Sequence, residues 1–156
     1  MAEELKIKDG SKEEKYLELI PQIMAVVENE EDVIANMANV ASMIHETFGF
    51  WWTGFYRVRS STELVLGPFQ GPLACTRIRK GKGVCGTAWQ RKATVVVEDV
   101  DKFEGHIACS SASKSEIVVP VIKDNEVVAV LDIDSAELNT FDEVDQKYLE
   151  NIVKLL

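Results

Sequence analysis

The sequence predicts a single α+β domain of 156 residues. Apolar residues recur at helical spacing near both ends of the chain, whereas the middle alternates with period two or forms short β-branched and aromatic runs. A chain of this length suits one domain with one principal core. We therefore expect five or six mostly antiparallel strands, with helices covering the faces of the sheet.

Two helices are predicted in the first third of the chain, after an extended or loosely ordered segment over residues 1–10. The first begins at a capping box, in which Ser11 accepts from a backbone amide and Glu14 reaches back. Pro21 interrupts its apolar stripe, and we expect a kink or a break there because proline lacks a backbone donor. An acidic segment separates this helix from the second, for which Gly49 is a suitable C-terminal cap.

The rest of the chain predicts a sheet and two more helices. Strands are expected at residues 50–58, 64–69, 94–97, 117–122 and 127–133. Turns at 60–63 and 123–126 join the first two and the last two of these strands into antiparallel hairpins. A short helix is expected over residues 86–92. A second capping box, Thr140 with Glu143, opens the final helix.

Composition and charge exclude several classes of function. No apolar run approaches the roughly 20 residues that span a bilayer, and the N-terminus lacks the apolar core of a secretory signal. The net charge of −9 argues against nucleic acid or an anionic membrane as the main partner, because phosphate contacts need clustered cations. We therefore expect a cytoplasmic protein that binds neither nucleic acid nor membrane.

The three cysteines, Cys75, Cys85 and Cys109, indicate either redox or nucleophilic chemistry or scattered structural thiols. A reducing cytosol would not maintain a disulfide framework. Together with His45 and His106 they reach the number of ligands that a zinc site needs. The close ligand spacing of such sites is absent, so we expect no metal.

Cys109 is the candidate nucleophile. It lies in a run of small polar residues that leads directly into the predicted strand at 117–122. Small residues leave a thiol accessible, and the strand behind them fixes its direction. The alternative is a loop cysteine that packs against the edge of the sheet.

Three carboxylates are expected near this thiol. Asp132 and Asp134 are two residues apart in a strand, so both project from one face while Leu131 and Ile133 project from the other. Glu116 can reach the same side if the register allows. Carboxylates that converge repel each other, so at least one pKa should rise, and the group would also attract a ligand ammonium. Alternatively, Asp132 and Asp134 are strand-end residues in water.

Trp51, Trp52 and Tyr56 form an aromatic group in the first strand. Trp52 and Tyr56 share a face because they are four residues apart. Such a wall can bind a methyl or thioether group and exclude water, although the same residues can simply belong to the core.

Several segments resemble the free methionine-(R)-sulfoxide reductases, a GAF-domain family that reduces free rather than protein-bound methionine sulfoxide. The resemblance extends from about Tyr16 to the C-terminus. It is carried by Trp52-Thr-Gly-Phe-Tyr56, by the segments around the three cysteines at 67–75, 81–86 and 106–113, and by 115–120 and 131–135. Ordinary GAF sensors lack this set of cysteines.

The resemblance implies one GAF domain over residues 1–156, with a six-stranded antiparallel sheet and helices on both faces, often as a homodimer. It also implies that Cys109 is the nucleophile and Cys75 the resolving thiol. Cys85 would be a third redox cysteine with a secondary role.

The same resemblance implies that Glu116, Asp132 and Asp134 bind the substrate and its sulfoxide oxygen, with Trp52 and Tyr56 on the methyl side. Thioredoxin is the expected reductant, and no metal, flavin or nucleotide is required. The alternative function is a GAF-type sensor of a small molecule or oxidant, whose thiols signal without turnover.

Overall fold

The fold is organised around an antiparallel sheet. In a computed structural model, residues 4–107 and 111–156 are described, and Cys109 therefore lies outside the described residues. The strands within these ranges are β1 (Trp52–Val58), β2 (Glu63–Gln70), β3 (Arg77–Arg79), β4 (Val95–Val97), β5 (Ser115–Lys123) and β6 (Glu126–Ser135). Their order is β3-β2-β1-β6-β5-β4, and each neighbouring pair is antiparallel. The predicted fold class is confirmed.

Helices cover both faces of this sheet. Those of the described chain are α1 (Lys12–Val27), α2 (Val33–Phe48), α3 (Gly83–Arg91) and α4 (Glu143–Val153), with a short 3₁₀ turn at Val100–Lys102. Apolar residues of α1, α2 and α4 pack on one face of the sheet and form the larger core. Apolar residues of α3 pack on the other face and form a second, smaller core. No helix in these ranges combines the length and the apolar character needed to cross a bilayer.

Helix α1 begins where the sequence predicts but does not break at Pro21. The Ser11 side chain accepts from the Glu14 amide at 3.2 Å, as expected of an N-cap. The expected break is wrong, because α1 continues through Pro21 to Val27. Proline removes the bond to the carbonyl of Leu17, but both residues lie on the exposed face, where water can bond to that carbonyl.

The N-terminal cap of α4 lies two residues later than the sequence predicts. Asp142 is the N-cap, and its capping-box partner is Asp145 rather than Glu143. The hydroxyl of Thr140 does not cap this helix and instead donates to Ser135 Oγ at 2.6 Å. This hydrogen bond links the start of α4 to the end of β6.

The β5–β6 hairpin sets the register on which the site depends. Asp124 and Asn125 form its two-residue turn with φ angles of 52° and 65°, the conformation of a type I′ turn. Both strands are longer than predicted, so Glu116 and Asp134 lie within strands and directly opposite each other. Asp132 is opposite Val118, one step further along the same face.

Candidate active site

A cleft opens on the α3 side of the sheet. Its polar wall contains Cys85, His106, Ser113, Glu116, Asp132 and Asp134. Its apolar wall includes Trp51, Trp52, Tyr56, Leu73, Val84 and Ile107. The cleft therefore brings together six of the residues that the sequence selects as site residues.

The three carboxylates converge as the alternation of β6 predicts. Asp132 and Asp134 face the cleft, whereas Leu131 and Ile133 belong to the core on the opposite face. Glu116 joins them from β5 and is only 5% exposed, and Asp132 is 6% exposed. The interpretation of Asp132 as a strand-end residue in water is wrong, since it is buried inside the fold.

Burial and mutual repulsion favour protons on this cluster. Burial, followed by the charges of Asp132 and Asp134, raises the pKa of Glu116 well above its ordinary value. Burial and the charge of Asp132 likewise raise the pKa of Asp134, although Ser113 Oγ donates to its Oδ1 at 3.0 Å and opposes the rise. Burial also raises the pKa of Asp132, against hydrogen bonds from Glu116 and Cys85. In the hydrogen bond between Glu116 and Asp132, Glu116 is therefore the proton donor and Asp132 is the acceptor.

One oxygen of Asp132 has no hydrogen-bond donor among residues 4–107 and 111–156. Its Oδ1 is fully buried, and no residue of the described chain donates a hydrogen bond to it. A buried carboxylate oxygen without a donor is costly. The cleft is thus suited to a ligand that brings a positive charge or a hydrogen-bond donor to this point.

The aromatic wall is held rigidly. Trp52 stacks on Tyr56 at a ring-centroid distance of 5.9 Å and on Phe69 at 5.2 Å. Trp52 Nε1 donates to the Pro72 carbonyl at 3.1 Å, and the Tyr56 hydroxyl donates to the Cys75 carbonyl at 2.9 Å. Both rings belong to the smaller core and also line the cleft. The two roles that the sequence indicates for them, core residues and a wall of the binding cleft, are therefore both present.

Gly54 makes room for this wall. It lies between Trp52 and Tyr56 on the same face of β1, and a Cβ built on it would be 2.6 Å from the Trp52 ring and 2.3 Å from Phe69 Cβ. Any larger residue would push the indole away from its position. The glycine of the Trp-Thr-Gly-Phe-Tyr segment is therefore a steric requirement of the cleft.

A possible metal-binding set lies in the same cleft. Cys85 Sγ, one oxygen of Glu116 and one oxygen of Asp132 all lie within 4.8 Å of one another in the described chain. Sequence spacing does not reveal this set, because its members come from α3, β5 and β6.

Comparison with known proteins assigns the family. Residues 27–156 match the GAF domain model. The chain is 60% identical to GAF domain-containing protein A of Dictyostelium discoideum over 156 residues, which is 100% of this chain and 99% of that protein. It is 42% identical to the free methionine-R-sulfoxide reductase of Saccharomyces cerevisiae, over 94% of this chain and 86% of that protein. The chain belongs to the free methionine-R-sulfoxide reductase family of GAF domains.

A solved structure of the family has nearly the same fold. The X-ray structure of free methionine-R-sulfoxide reductase from Neisseria meningitidis in complex with its substrate is 53% identical, with a TM-score of 0.96. The match covers 97% of this chain and 92% of that one. The resemblance that the sequence indicates is thereby confirmed at the level of the family.

The cysteines of this family member lie in different surroundings. Cys85 is a free thiol in the first turn of α3 and is 4% exposed. Burial, followed by the charges of Asp132 and Glu116, raises its pKa, which disfavours the reactive thiolate. Cys75 is half-buried in the segment between β2 and β3, where its carbonyl holds the Tyr56 hydroxyl.

Two residues of the cleft escape assignment from the sequence. His106 Nε2 lies 3.9 Å from Glu116 Oε1, and Ser113 bonds to Asp134. Both flank Cys109 in the chain and lie in the segment 106–113 that carries the family resemblance, and these are the signals that could have indicated them. The sequence suggests His106 only as a zinc ligand by number.

Proposed function

We propose that this protein reduces free L-methionine-(R)-sulfoxide to L-methionine by thiol chemistry in this cleft. The observation that carries the proposal is the convergence of Glu116, Asp132 and Asp134 beside an aromatic wall, in a chain of this family. The Neisseria meningitidis relative is described in complex with its substrate, which supports the same class of ligand here.

The chemical step requires a nucleophile and an acid. We assign the nucleophile to Cys109, whose thiolate would attack the sulfoxide sulfur. The sulfur accepts the attack only as its oxygen receives a proton, and Glu116 or Asp134 would supply it because burial favours their protonated forms. General-acid help of this kind is typically worth about 10²–10⁴-fold.

Substrate selection follows from charge and shape. The buried Oδ1 of Asp132 has no donor within the described chain, and the substrate's α-ammonium group would supply one. A peptide bond removes this ammonium, so the cluster favours the free amino acid. Trp52 and Tyr56 would hold the methyl side of the sulfoxide and exclude water from it.

Turnover then needs two electrons from outside. The attack releases methionine and leaves Cys109 as a sulfenic acid, which the Cys75 thiol would condense with to form a disulfide and water. Thioredoxin would reduce this disulfide by dithiol exchange. We assign Cys85 a secondary role, because its buried thiol is held in the protonated form.

We further propose that the protein acts in the cytoplasm and as a homodimer. The competing function is a GAF-type sensor without turnover. A sensor has no need for protonated carboxyl groups beside a thiol, and this feature favours the reductase.

A thioredoxin-coupled assay that follows NADPH oxidation tests the proposal. Free L-methionine-(R)-sulfoxide should be reduced, whereas the (S)-epimer and a peptide-bound methionine sulfoxide should not. Binding of the free (R)-epimer without methionine formation, even with excess dithiol, would instead identify a sensor.

A further inference from the structure

Cys85, Glu116 and Asp132 combine the ligand types that thiophilic divalent cations prefer. One sulfur and two carboxylate oxygens lie within 4.8 Å of one another. Zn²⁺ binds cysteine sulfur at about 2.3 Å and carboxylate oxygen at about 2.0–2.2 Å, so tetrahedral ligands are separated by roughly 3.3–3.7 Å. Side-chain rotations of roughly 1 Å therefore bring the three atoms to bonding distance.

A second observation indicates that this cluster accepts a cation. Asp132 is 6% exposed, and its buried Oδ1 receives no hydrogen bond from the described residues. An isolated carboxylate oxygen in such a place is stabilised by a bound positive charge. Its two neighbours in the cluster provide the further ligands.

The supporting elements are rigid, and the cleft provides an entrance. Cys85 is fixed by the first turn of α3, while Glu116 and Asp132 lie on the adjacent strands β5 and β6. The same cleft is lined by Leu73, which is 90% exposed at its mouth. Three protein ligands leave one coordination position open for water.

We infer that Cys85, Glu116 and Asp132 form a site for a thiophilic divalent cation such as Zn²⁺. As the metal–sulfur and metal–oxygen bonds form, the thiol proton of Cys85 and the carboxyl proton of Glu116 leave to solvent. The ion then occupies Glu116 and Asp132, which the proposed function assigns to the substrate, so it is not a cofactor of that reaction. This inference goes beyond the proposed function, because metal binding does not depend on turnover.

The test uses a protein in which Cys85 is the only thiol. In the double variant Cys75→Ser/Cys109→Ser, titration with Cd²⁺ should produce a thiolate-to-metal charge-transfer band in the ultraviolet that saturates at one ion per chain. Added Zn²⁺ should remove the band by displacement. Absence of a saturable band overturns the inference.

Variants of the carboxylates show whether they bind the ion together with Cys85 or whether the thiol binds it alone. In the same background, Asp132→Asn and Glu116→Gln should each weaken Cd²⁺ binding at least about tenfold, since loss of even an indirect partner costs a metal site about 10–100-fold. Glu126→Gln, at the exposed start of β6, is the matched control and should bind Cd²⁺ normally. If all three bind with equal affinity, the ion is held by the thiol alone and the inference is wrong.

Two controls keep the result interpretable. The amide variants preserve side-chain shape, and circular dichroism with thermal unfolding checks that each is folded. No substrate or reductant enters the titration, so metal binding can succeed or fail independently of sulfoxide reduction.

Discussion

Glu116 and Asp134 face each other across β5 and β6, at a place where burial makes ionisation of both unfavourable. If they protonate the sulfoxide oxygen, Glu116→Gln and Asp134→Asn should each lower the single-turnover rate of methionine formation by roughly 10- to 1000-fold. Asp132→Asn should mainly weaken substrate binding. Rapid-quench measurement of methionine decides this, and alkylation of Cys109 should persist in all three variants. Unchanged rates would show that these carboxylates take no part in the reaction.

Variants of Cys109 and Cys75 should separate attack from recycling. Cys109→Ser should abolish methionine formation, because burial raises the pKa of Cys85, the thiol that lines the cleft, and disfavours its reactive thiolate. Cys75→Ser should keep a near-normal single turnover but fail to recycle with thioredoxin, since the sulfenic acid loses its partner. Methionine release in a single turnover and NADPH consumption in steady state measure the two steps. Normal recycling by Cys75→Ser would transfer the resolving role to Cys85.

At the scale of elements, one buried carboxylate joins the first and last helices. Asp145 in α4 is fully buried, and it accepts from the Tyr16 hydroxyl and from Lys12 Nζ, both at 2.6 Å, across the contact with α1. It also accepts from the Asp142 amide at 3.0 Å as part of the capping box. The same side chain therefore helps to cap the start of α4 and fastens that helix to α1.

Removal of this carboxylate should destabilise the fold strongly. Asp145→Ala leaves the buried Tyr16 hydroxyl without its acceptor and removes the shortest contact of Lys12 Nζ, which keeps the Thr140 carbonyl and Asp142 as partners. With the lost capping-box bond, we expect a loss of about 2–4 kcal/mol in the free energy of unfolding. Asp142→Ala removes a helix cap and a solvent-exposed ion pair with Lys12, and should cost about 1 kcal/mol. The exposed Glu143→Ala is the control and should change little. Urea unfolding measures all three, and equal losses for Asp145→Ala and Glu143→Ala would refute this role of the buried pair.

For the molecule as a whole, the three cleft carboxyl groups lower the free energy of unfolding at neutral pH. An acid whose pKa is higher in the folded than in the unfolded state binds more protons when folded, so stability falls as the pH rises above its unfolded pKa of about 4. This sign applies to Glu116, Asp132 and Asp134, whose pKa values are all raised, with burial as the largest cause. A functional site of this kind is retained at a cost in folding free energy.

Glu116→Gln should therefore stabilise the fold while it slows the reaction. The amide cannot ionise, and it can still donate to Asp132 as the protonated acid does. The midpoint of thermal unfolding should be higher than that of the unmodified protein at pH 7, and the difference should shrink as the pH approaches 4. A lower midpoint at pH 7 would contradict the proposal that folding imposes a charge penalty at this position.

The sequence by itself determined the elements and the kinds of side chain that share a face. Period-two alternation in β6 placed Asp132 and Asp134 opposite Leu131 and Ile133, and the same rule put Trp52 and Tyr56 on one side of β1. These features depend only on local backbone geometry, so a single sequence reveals them. The three cysteine segments, together with 52–56, 115–120 and 131–135, indicated the family.

Only the tertiary structure decided which elements meet. Two features join residues far apart in the chain. One is the register that sets Glu116 against Asp134, and the other is the burial of Cys85 beside Glu116 and Asp132. Likewise, α1 continues through Pro21 because that proline faces solvent. Such outcomes depend on how distant segments pack and on which residues that packing leaves exposed to solvent. The local sequence pattern contains neither kind of information.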